Sequence, residues 1–366
     1  MLALDAALAE AEGPARLARL REALTLAEQV TDGRGDPIVL EASLLLGERM
    51  RAAGQRDEAM LHFERAVERS FRLPEPTGRH RRAGVLTRLA ILDQESGRLE
   101  RAQVRYREAL DLGRDTSSQQ VLGMLTQAAF NLGLLHSEAG EDEPAVAHWS
   151  AALELGLRAG HPGGWDPAAV AAFNLGHHFS RRGDTEQARR MFRAVARVGE
   201  PAGTALGRMA CAKAALALAG MAEQEGLIGA AEADREYLRA VRLGRDSGLA
   251  EGALAALQGS LALGERANAE RRAADSIEHF RGALAFANEC EAGAAFRFAL
   301  LARLRLGQAL ADSGAREDAV VQLRQVFELG RRTDEPVLQE LAAQAACNLH
   351  RTLALLERWA EAHALA

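Results

Sequence analysis

The sequence predicts an all-α fold, a right-handed α-solenoid of antiparallel helix pairs, and three observations carry that expectation. A helix–turn–helix unit recurs every 43 residues, with the turns at positions 54, 97, 140 and 183. Each unit sets small and large apolar residues at helical spacing on both sides of its turn. All nine prolines fall where such helices would begin or break. Internal repetition at this period marks a solenoid, because a lone helix pair cannot bury both its faces and each unit needs its neighbours.

The unit is clearest at Phe130 to Leu153, FNLGLLHSEAGEDEPAVAHWSAAL. With Gly140 as origin, Leu132-Gly133 stands eight and seven residues before it, and Ala145, Trp149 and Ala152 stand five, nine and twelve after. Gly54 has the same surroundings in Leu46-Gly47, Ala59, Phe63 and Ala66, and Gly97 has them in Leu89-Ala90, Ala102, Tyr106 and Ala109. Gly183 follows with Leu175-Gly176, Ala188, Phe192 and Val195; Gly314 follows with Leu306-Gly307, Ala319, Leu323 and Val326. One slip occurs: Leu218-Ala219 fits a turn at Gly226, whereas Ala233, Tyr237 and Ala240 fit an origin two residues later. Two residues are therefore inserted within Gly226-Leu227-Ile228-Gly229, and the 43-residue register resumes at Arg271, Gly314 and Glu357. The leucine is expected to point into its pair, the adjacent Gly or Ala to let the second helix approach, and the aromatic to fill the space between units.

In chain order, residues 1–36 form a degenerate first pair, with its turn at Gly13-Pro14 and Leu17, Leu20, Leu24 and Ala27 at helical spacing. Regular repeats follow at 37–79, 80–122, 123–165, 166–208, 209–253, 254–296 and 297–339, and 340–366 is an incomplete repeat, all within one solenoid spanning 1–366. Pro37, Pro74, Pro76, Pro162, Pro167, Pro201 and Pro336 separate units, while Pro14 and Pro144 sit just inside second helices, where the missing N–H is harmless. The last first helix runs from about Pro336 to Leu356 and leaves Arg358 to Ala366 for its partner. That shortfall makes Leu353, Leu356 and Trp359 a candidate second contact surface, or a route to end-to-end self-association; the alternative is that they pack on the preceding unit.

The pattern Leu-Gly, turn, Ala, aromatic, Ala resembles the tetratricopeptide repeat, W-x2-L-G-x2-Y…A-x3-F…P. The resemblance covers essentially the whole chain. Departures are a small residue at the Trp position (Ser43, Ala129, Ala172), a variable Tyr position (Met50, His136, Phe179, Leu310) and a period longer than the usual 34. Nine extra residues amount to roughly 13 Å of added helix, which makes the unit similar to the long repeats of kinesin light chains and bacterial tetratricopeptide regulators. The resemblance implies a non-enzymatic scaffold or adaptor that binds another protein, as a peptide or helix segment, on the concave face lined by first helices. A regulatory sensor for a small ligand or signalling peptide is the alternative that it also implies.

Composition narrows the function. Apolar residues make up 48% and the net charge is −6, which supplies a core and gives no case for a nucleic-acid or anionic-membrane partner. No run of eighteen apolar residues and no leader pattern stand out, so a cytoplasmic protein is expected. Cys211, Cys290 and Cys347 lie far apart on apolar helix faces, as small buried side chains of a reducing compartment do. His177 and His178 are adjacent, hence about 100° apart on a helix, with no Cys or carboxylate at metal-ligand spacing, so neither a metal nor a cofactor is expected. No nucleophile elbow or phosphate-binding glycine loop is present, and the glycines read as turn glycines. Arg65, Arg69, Arg72, Arg79, Arg81, Arg82 and Arg88, with Glu64, Glu68 and Glu75 among them, are either a solvated second-helix face or a patch for an acidic partner or RNA.

The candidate site comes from variable positions on first helices. Nine before each turn stand Leu45, Arg88, Asn131, Asn174, Ala217, Ala262, Arg305 and Asn348. The resemblance implies that an Asn here holds a ligand's main chain, since an amide offers both a donor and an acceptor. Asn131 and Asn174 would form adjacent rungs; the alternative is a polar residue tolerated on a solvated face. One place earlier come Leu44, Thr87, Phe130, Phe173, Leu216, Leu261, Leu304 and Cys347, either a stripe for apolar ligand side chains or simple helix packing. Gln127, His177 and Arg181 complete a groove centred on residues 127–181.

Overall fold

A computed structural model describes residues 14–30, 32–224, 229–290 and 292–364. The described residues are helical with no strand, and the chain falls into two compact units, Met1–His178 and Phe179–Ala366.

The first unit contains α1 (Pro14–Glu28), α2 (Asp36–Ala52), α3 (Arg56–Ser70), α4 (Thr77–Glu95), α5 (Leu99–Leu112), α6 (Gln119–Glu138), α7 (Asp142–Ala159) and most of α8 (Pro162–Arg181). Helices pair as α2 with α3, α4 with α5 and α6 with α7, and α4 also packs on α6, first helix on first helix. The first helix of the degenerate N-terminal pair lies outside the described residues; its second helix is α1, whose Leu20, Ala23 and Leu24 are buried with Val39, Ala42 and Leu46 of α2.

The second unit contains α9 (Thr185–Ala202), α10 (Ala205–Glu223), α11 (Ala230–Ser247), α12 (Ala250–Ala269), α13 (Ala273–Ala287), α14 (Ala292–Asp312), α15 (Arg316–Gly330), α16 (Pro336–Leu355) and α17 (Trp359–His363). Here α10 pairs with α11, α12 with α13, α14 with α15 and α16 with α17, while α10, α12, α14 and α16 pack successively on one another. Of the insertion expected within 226–229, residues 226–228 lie outside the described residues, but both flanks behave as expected: Leu218 and Ala219 precede it in the core, and Ala233, Tyr237 and Ala240 follow.

The turns explain the period. Gly54, Gly97, Gly140, Gly183 and Gly314 all have φ between 75° and 92°, the left-handed conformation that ends a helix with little steric cost only at glycine. Arg271 and Glu357 stand at the same register and adopt φ 60° without being glycine. The helix pair therefore dictates the conformation, and these two residues accept the strain.

Packing follows the motif with one correction. The residues five and twelve after each turn, such as Ala59 and Ala66 or Ala102 and Ala109, are fully buried. The aromatic nine after the turn lies against the glycine of its own pair rather than only between units. A Cβ on Gly47 would come within 2.5 Å of the Phe63 ring, and one on Gly133 or Gly264 equally close to Trp149 or Phe280. Where the ring is tyrosine, at Tyr106 and Tyr237, the partner is Ala90 or Ala219 in the same buried cluster.

The glycines are not all turn glycines. A second periodic set, Gly156, Gly199, Gly244 and Gly330, sits near the ends of second helices. A Cβ there would lie 2.7 Å from the Gly164 carbonyl oxygen, 2.9 Å from that of Gly207 and 2.6 Å from that of Leu338 at three of these positions. The second helices that carry these glycines thus cross the start of the next first helix in backbone contact.

Two prolines depart from expectation. Pro167 stands six residues into α8, and Pro201 is the penultimate residue of α9. Near helix ends the missing N–H removes one hydrogen bond without breaking the packing. Helix α10 (Ala205–Glu223) is apolar and long enough to cross a membrane by length and composition, but 56% of that window is buried. A first helix packed on three sides passes the same test as a membrane span. Of the cysteines only Cys211 is buried; Cys290 is intermediate and Cys347 exposed, against the expectation of three buried thiols.

Candidate functional site

The row nine residues before each turn is used in three ways. Arg88 is an ion-pair residue: its Nε lies 2.7 Å from Glu48 of the preceding first helix, and a guanidinium nitrogen donates to the Gly84 carbonyl at 3.1 Å. Arg305 repeats that role with Glu265 at 3.0 Å. Asn348 donates to the Gln344 carbonyl of its own helix at 2.9 Å.

Asn131 is committed to the interior. It is 8% exposed, accepts from Gln127 Nε2 and donates to the Tyr106 hydroxyl, both at 2.8 Å, and Tyr106 in turn donates to Gln94 at 2.9 Å. Burial pushes the Tyr106 hydroxyl well above its ordinary pKa, against the smaller opposing effect of the Asn131 hydrogen bond, so it remains a neutral donor. Each amide atom of Asn131 keeps only half its hydrogen-bonding capacity for anything outside. Asn174 differs: it is half-buried and makes no hydrogen bond to the other described residues. Phe173 is 9% exposed and meets His177 edge to face at 4.6 Å between ring centroids, while Phe130 is half-buried. Arg181 is exposed and belongs to the second unit.

The stripe one place earlier is mainly packing. Leu44, Thr87, Leu261 and Leu304 are buried, and the Thr87 hydroxyl donates back to the Ala83 carbonyl at 3.1 Å.

A feature not anticipated from the sequence lies over Gly84. A hollow opens there on α2, α4 and α6, with Leu44, Leu45, Val121 and Met124 as its apolar lining. Its rim is two ion pairs between neighbouring first helices, Arg81–Glu41 at 3.0 Å and Arg88–Glu48 at 2.7 Å. In the row thirteen before each turn, other units carry Glu41, Gln127, Val170 or Gln258; only Gly84 has no side chain. A Cβ built on it meets nothing closer than 3.7 Å. On α6, Gln120 and Met124, which line the hollow, share one helix face with Gln127 and Asn131.

Other candidates are absorbed by structure. The basic cluster is neutralised: Arg65 pairs with Glu28, Arg69 and Arg72 with Asp36, Arg79 with Asp115, Arg81 with Glu41, Arg82 with Glu75 and Arg88 with Glu48. Leu353 is fully buried with Leu300, Leu304 and Leu349, so it offers no contact surface, and Leu356 packs at the edge of that cluster. Trp359 and Leu355 are more than half exposed. His178 is buried and His177 exposed, diverging as adjacent helical residues must. Among the described residues no group of three or more His, Cys, Asp or Glu stands together as metal ligands would.

No family model matches the sequence, and a search of curated proteins finds no match. Solved structures do resemble it. The apo form of RapI superposes with a TM-score of 0.53 at 12% identity, over 88% of this chain and 88% of that one. A signal-transduction ATPase with numerous domains from Pyrococcus horikoshii, bearing a tetratricopeptide repeat sensor, gives 0.52 at 13% identity. That match covers 97% of this chain and 53% of the ATPase, so this chain spans about half the length of that protein. At such identities the likeness shows the fold: a tetratricopeptide-like array of helix pairs.

Proposed function

We propose that the chain is a non-enzymatic interaction scaffold that holds a peptide or helical segment of another protein against the first helices of its first unit. The observation that carries this is the Gly84 hollow, with an apolar lining, a rim of fixed charges and a wall formed on α6 by Gln120, Val121 and Met124. An apolar side chain of the segment fills the hollow, and Asn174, whose amide is unengaged, supplies the main-chain hydrogen bonds that Asn131 can offer only in part. Most binding energy in such contacts comes from a few buried anchors, which places the test at Gly84.

The test is a pull-down from native extract with wild type, Gly84→Leu and Asn131→Ala/Asn174→Ala, each checked for equal thermal stability. A partner bound by wild type and lost from Gly84→Leu supports the reading. A partner retained by both variants refutes the site. If no protein is recovered and a small-molecule fraction of the extract raises the melting temperature, the chain is a small-ligand sensor instead.

A further inference from the structure

The outer faces of two second helices in the second unit carry a charge pattern that groove binding leaves unused. Counting from the turn, the positions seven and fourteen residues on are Arg190 and Arg197 on α9, and Arg235 and Arg242 on α11. All four are exposed, and none has a carboxylate partner among the described residues. Equivalent positions on other second helices hold Leu61 and Glu68, Val104 and Asp111, Glu278 and Ala285, or Val321 and Glu328. The doubled arginine pair is therefore confined to α9 and α11, in a chain of net charge −6.

The helices that carry it are tied together. Arg193 of α9 reaches Glu232 of α11 at 3.1 Å, and Arg239 of α11 reaches Glu200 of α9 at 2.6 Å. Arg239 also pairs with Glu236 at 3.2 Å. These bridges use up nearby acids while leaving the quartet outside them. Along each helix the two arginines are seven residues apart, about 10 Å, on the side opposite the buried alanines. Between Arg235 and Arg242 stands Leu238, 53% exposed, three residues from one and four from the other. Glu186, one turn before Arg190, and Asp246, one turn after Arg242 and paired with Arg245 at 3.3 Å, bound the patch with negative charge.

We infer that this α9–α11 face docks an acidic segment of a partner protein that presents an apolar side chain between its carboxylates. The arginines fit carboxylates two helical turns apart through paired N–H donors. Leu238 decides between polyanions: a nucleic-acid backbone has no use for an exposed leucine amid its phosphate contacts, whereas an amphipathic peptide does. The acids at both ends also limit the patch to a short segment and set its register, as flanking like charges do in protein interfaces.

The experiment measures fluorescence anisotropy of a labelled peptide with glutamates two helical turns apart and a leucine between them, titrated with the full chain. An oligothymidylate of equal charge is the comparison. Arg190→Glu/Arg197→Glu/Arg235→Glu/Arg242→Glu is expected to weaken peptide binding by roughly tenfold or more. The same four changed to alanine serve if the reversal fails to fold. Leu238→Ser is expected to weaken the peptide several-fold and leave the oligonucleotide unaffected. The proposal is overturned if the peptide does not bind, if its affinity survives the arginine changes, if Leu238→Ser has no effect, or if the oligonucleotide binds as tightly with a steep salt slope.

Discussion

Asp93 offers the sharpest test of how the first unit is held together. Its carboxylate is fully buried, four residues before the Gly97 turn, where other units place Met50, Ala222, Leu310 or Leu353. Three arginines converge on it: Arg98 at 2.8 Å, Arg105 at 2.5 Å and Arg101 at 3.5 Å. Arg98 and Arg101 are 41% and 50% exposed and can turn to water, but Arg105 is 14% exposed and cannot. Burial already pulls the Arg105 guanidinium below its ordinary pKa, with the Asp93 charge the chief opposing influence. Asp93→Leu therefore strands one buried cation, with Glu64 at 3.7 Å as its remaining partner. Removing one side of a buried pair costs about 3–5 kcal/mol, and the residual Glu64 contact places this case near the lower figure. Arg105→Met on top of Asp93→Leu is expected to recover more than half of that loss, because the apolar replacement has no charge to strand. Repeat arrays need not unfold in one step, so hydrogen exchange across residues 85–110 should accompany urea unfolding by circular dichroism. A single variant within about 1 kcal/mol of wild type, or a double variant no better than the single, would refute the reasoning.

Three more predictions concern titration, turn geometry and a helix crossing. His62 and His148 are both held below their ordinary pKa of 6.5, chiefly by burial, with Arg65 acting on one and His136 on the other. A base whose folded pKa is depressed binds its proton more readily when unfolded, so stability is full above about 6.5 and falls as pH drops toward the folded values. A melting temperature that stays flat or rises between pH 7 and 5 contradicts this; His62→Asn should shallow the slope. At the turn, Arg271→Gly relieves the φ of 60° and should stabilise by about 0.5–1 kcal/mol, while Gly330→Val, pressed against the Leu338 carbonyl, should destabilise by about 1–3 kcal/mol. Thermal melts showing the reverse order would remove the physical basis given for the repeat.

What the sequence disclosed was whatever the register repeats. The turn positions at 54, 97, 140 and 183, and even Arg271 and Glu357, were legible because the spacing recurs whichever residue fills the turn. The buried row five, nine and twelve after each turn was legible for the same reason. Glycines 156, 199, 244 and 330 carry an equally regular signal, but a glycine serving a turn and one serving a helix crossing look alike until the facing carbonyl is placed. Asn131 shows a different limit. As a polar residue on a first helix it looked available, and only the fold brings Tyr106, 25 residues earlier, under its amide. Gly84 was missed because a cavity is an absence, visible only when its row is compared across units.

The charges on the first helices set the manner of recognition. Arg81 faces Glu41, Arg88 faces Glu48, Lys213 faces Glu251, Arg305 faces Glu265, and Arg351 reaches Asp312 at 3.9 Å, each cation answered by an acid of an adjoining first helix. Such pairs cancel at distances beyond the Debye length of about 8 Å, so a segment approaching these helices feels little steering. Selectivity there has to come from shape, at the Gly84 hollow, and from unengaged amides such as Asn174. The α9–α11 face is the opposite case, since its four arginines are unanswered within the described residues and their field reaches outward. The two modes separate by salt: association at the hollow should change little with ionic strength, whereas association at the arginine quartet should slow steeply. A groove ligand whose on-rate fell as steeply as the acidic peptide's would show that the ion-pair ladder opens on binding, and that its cations, not the hollow, select the partner.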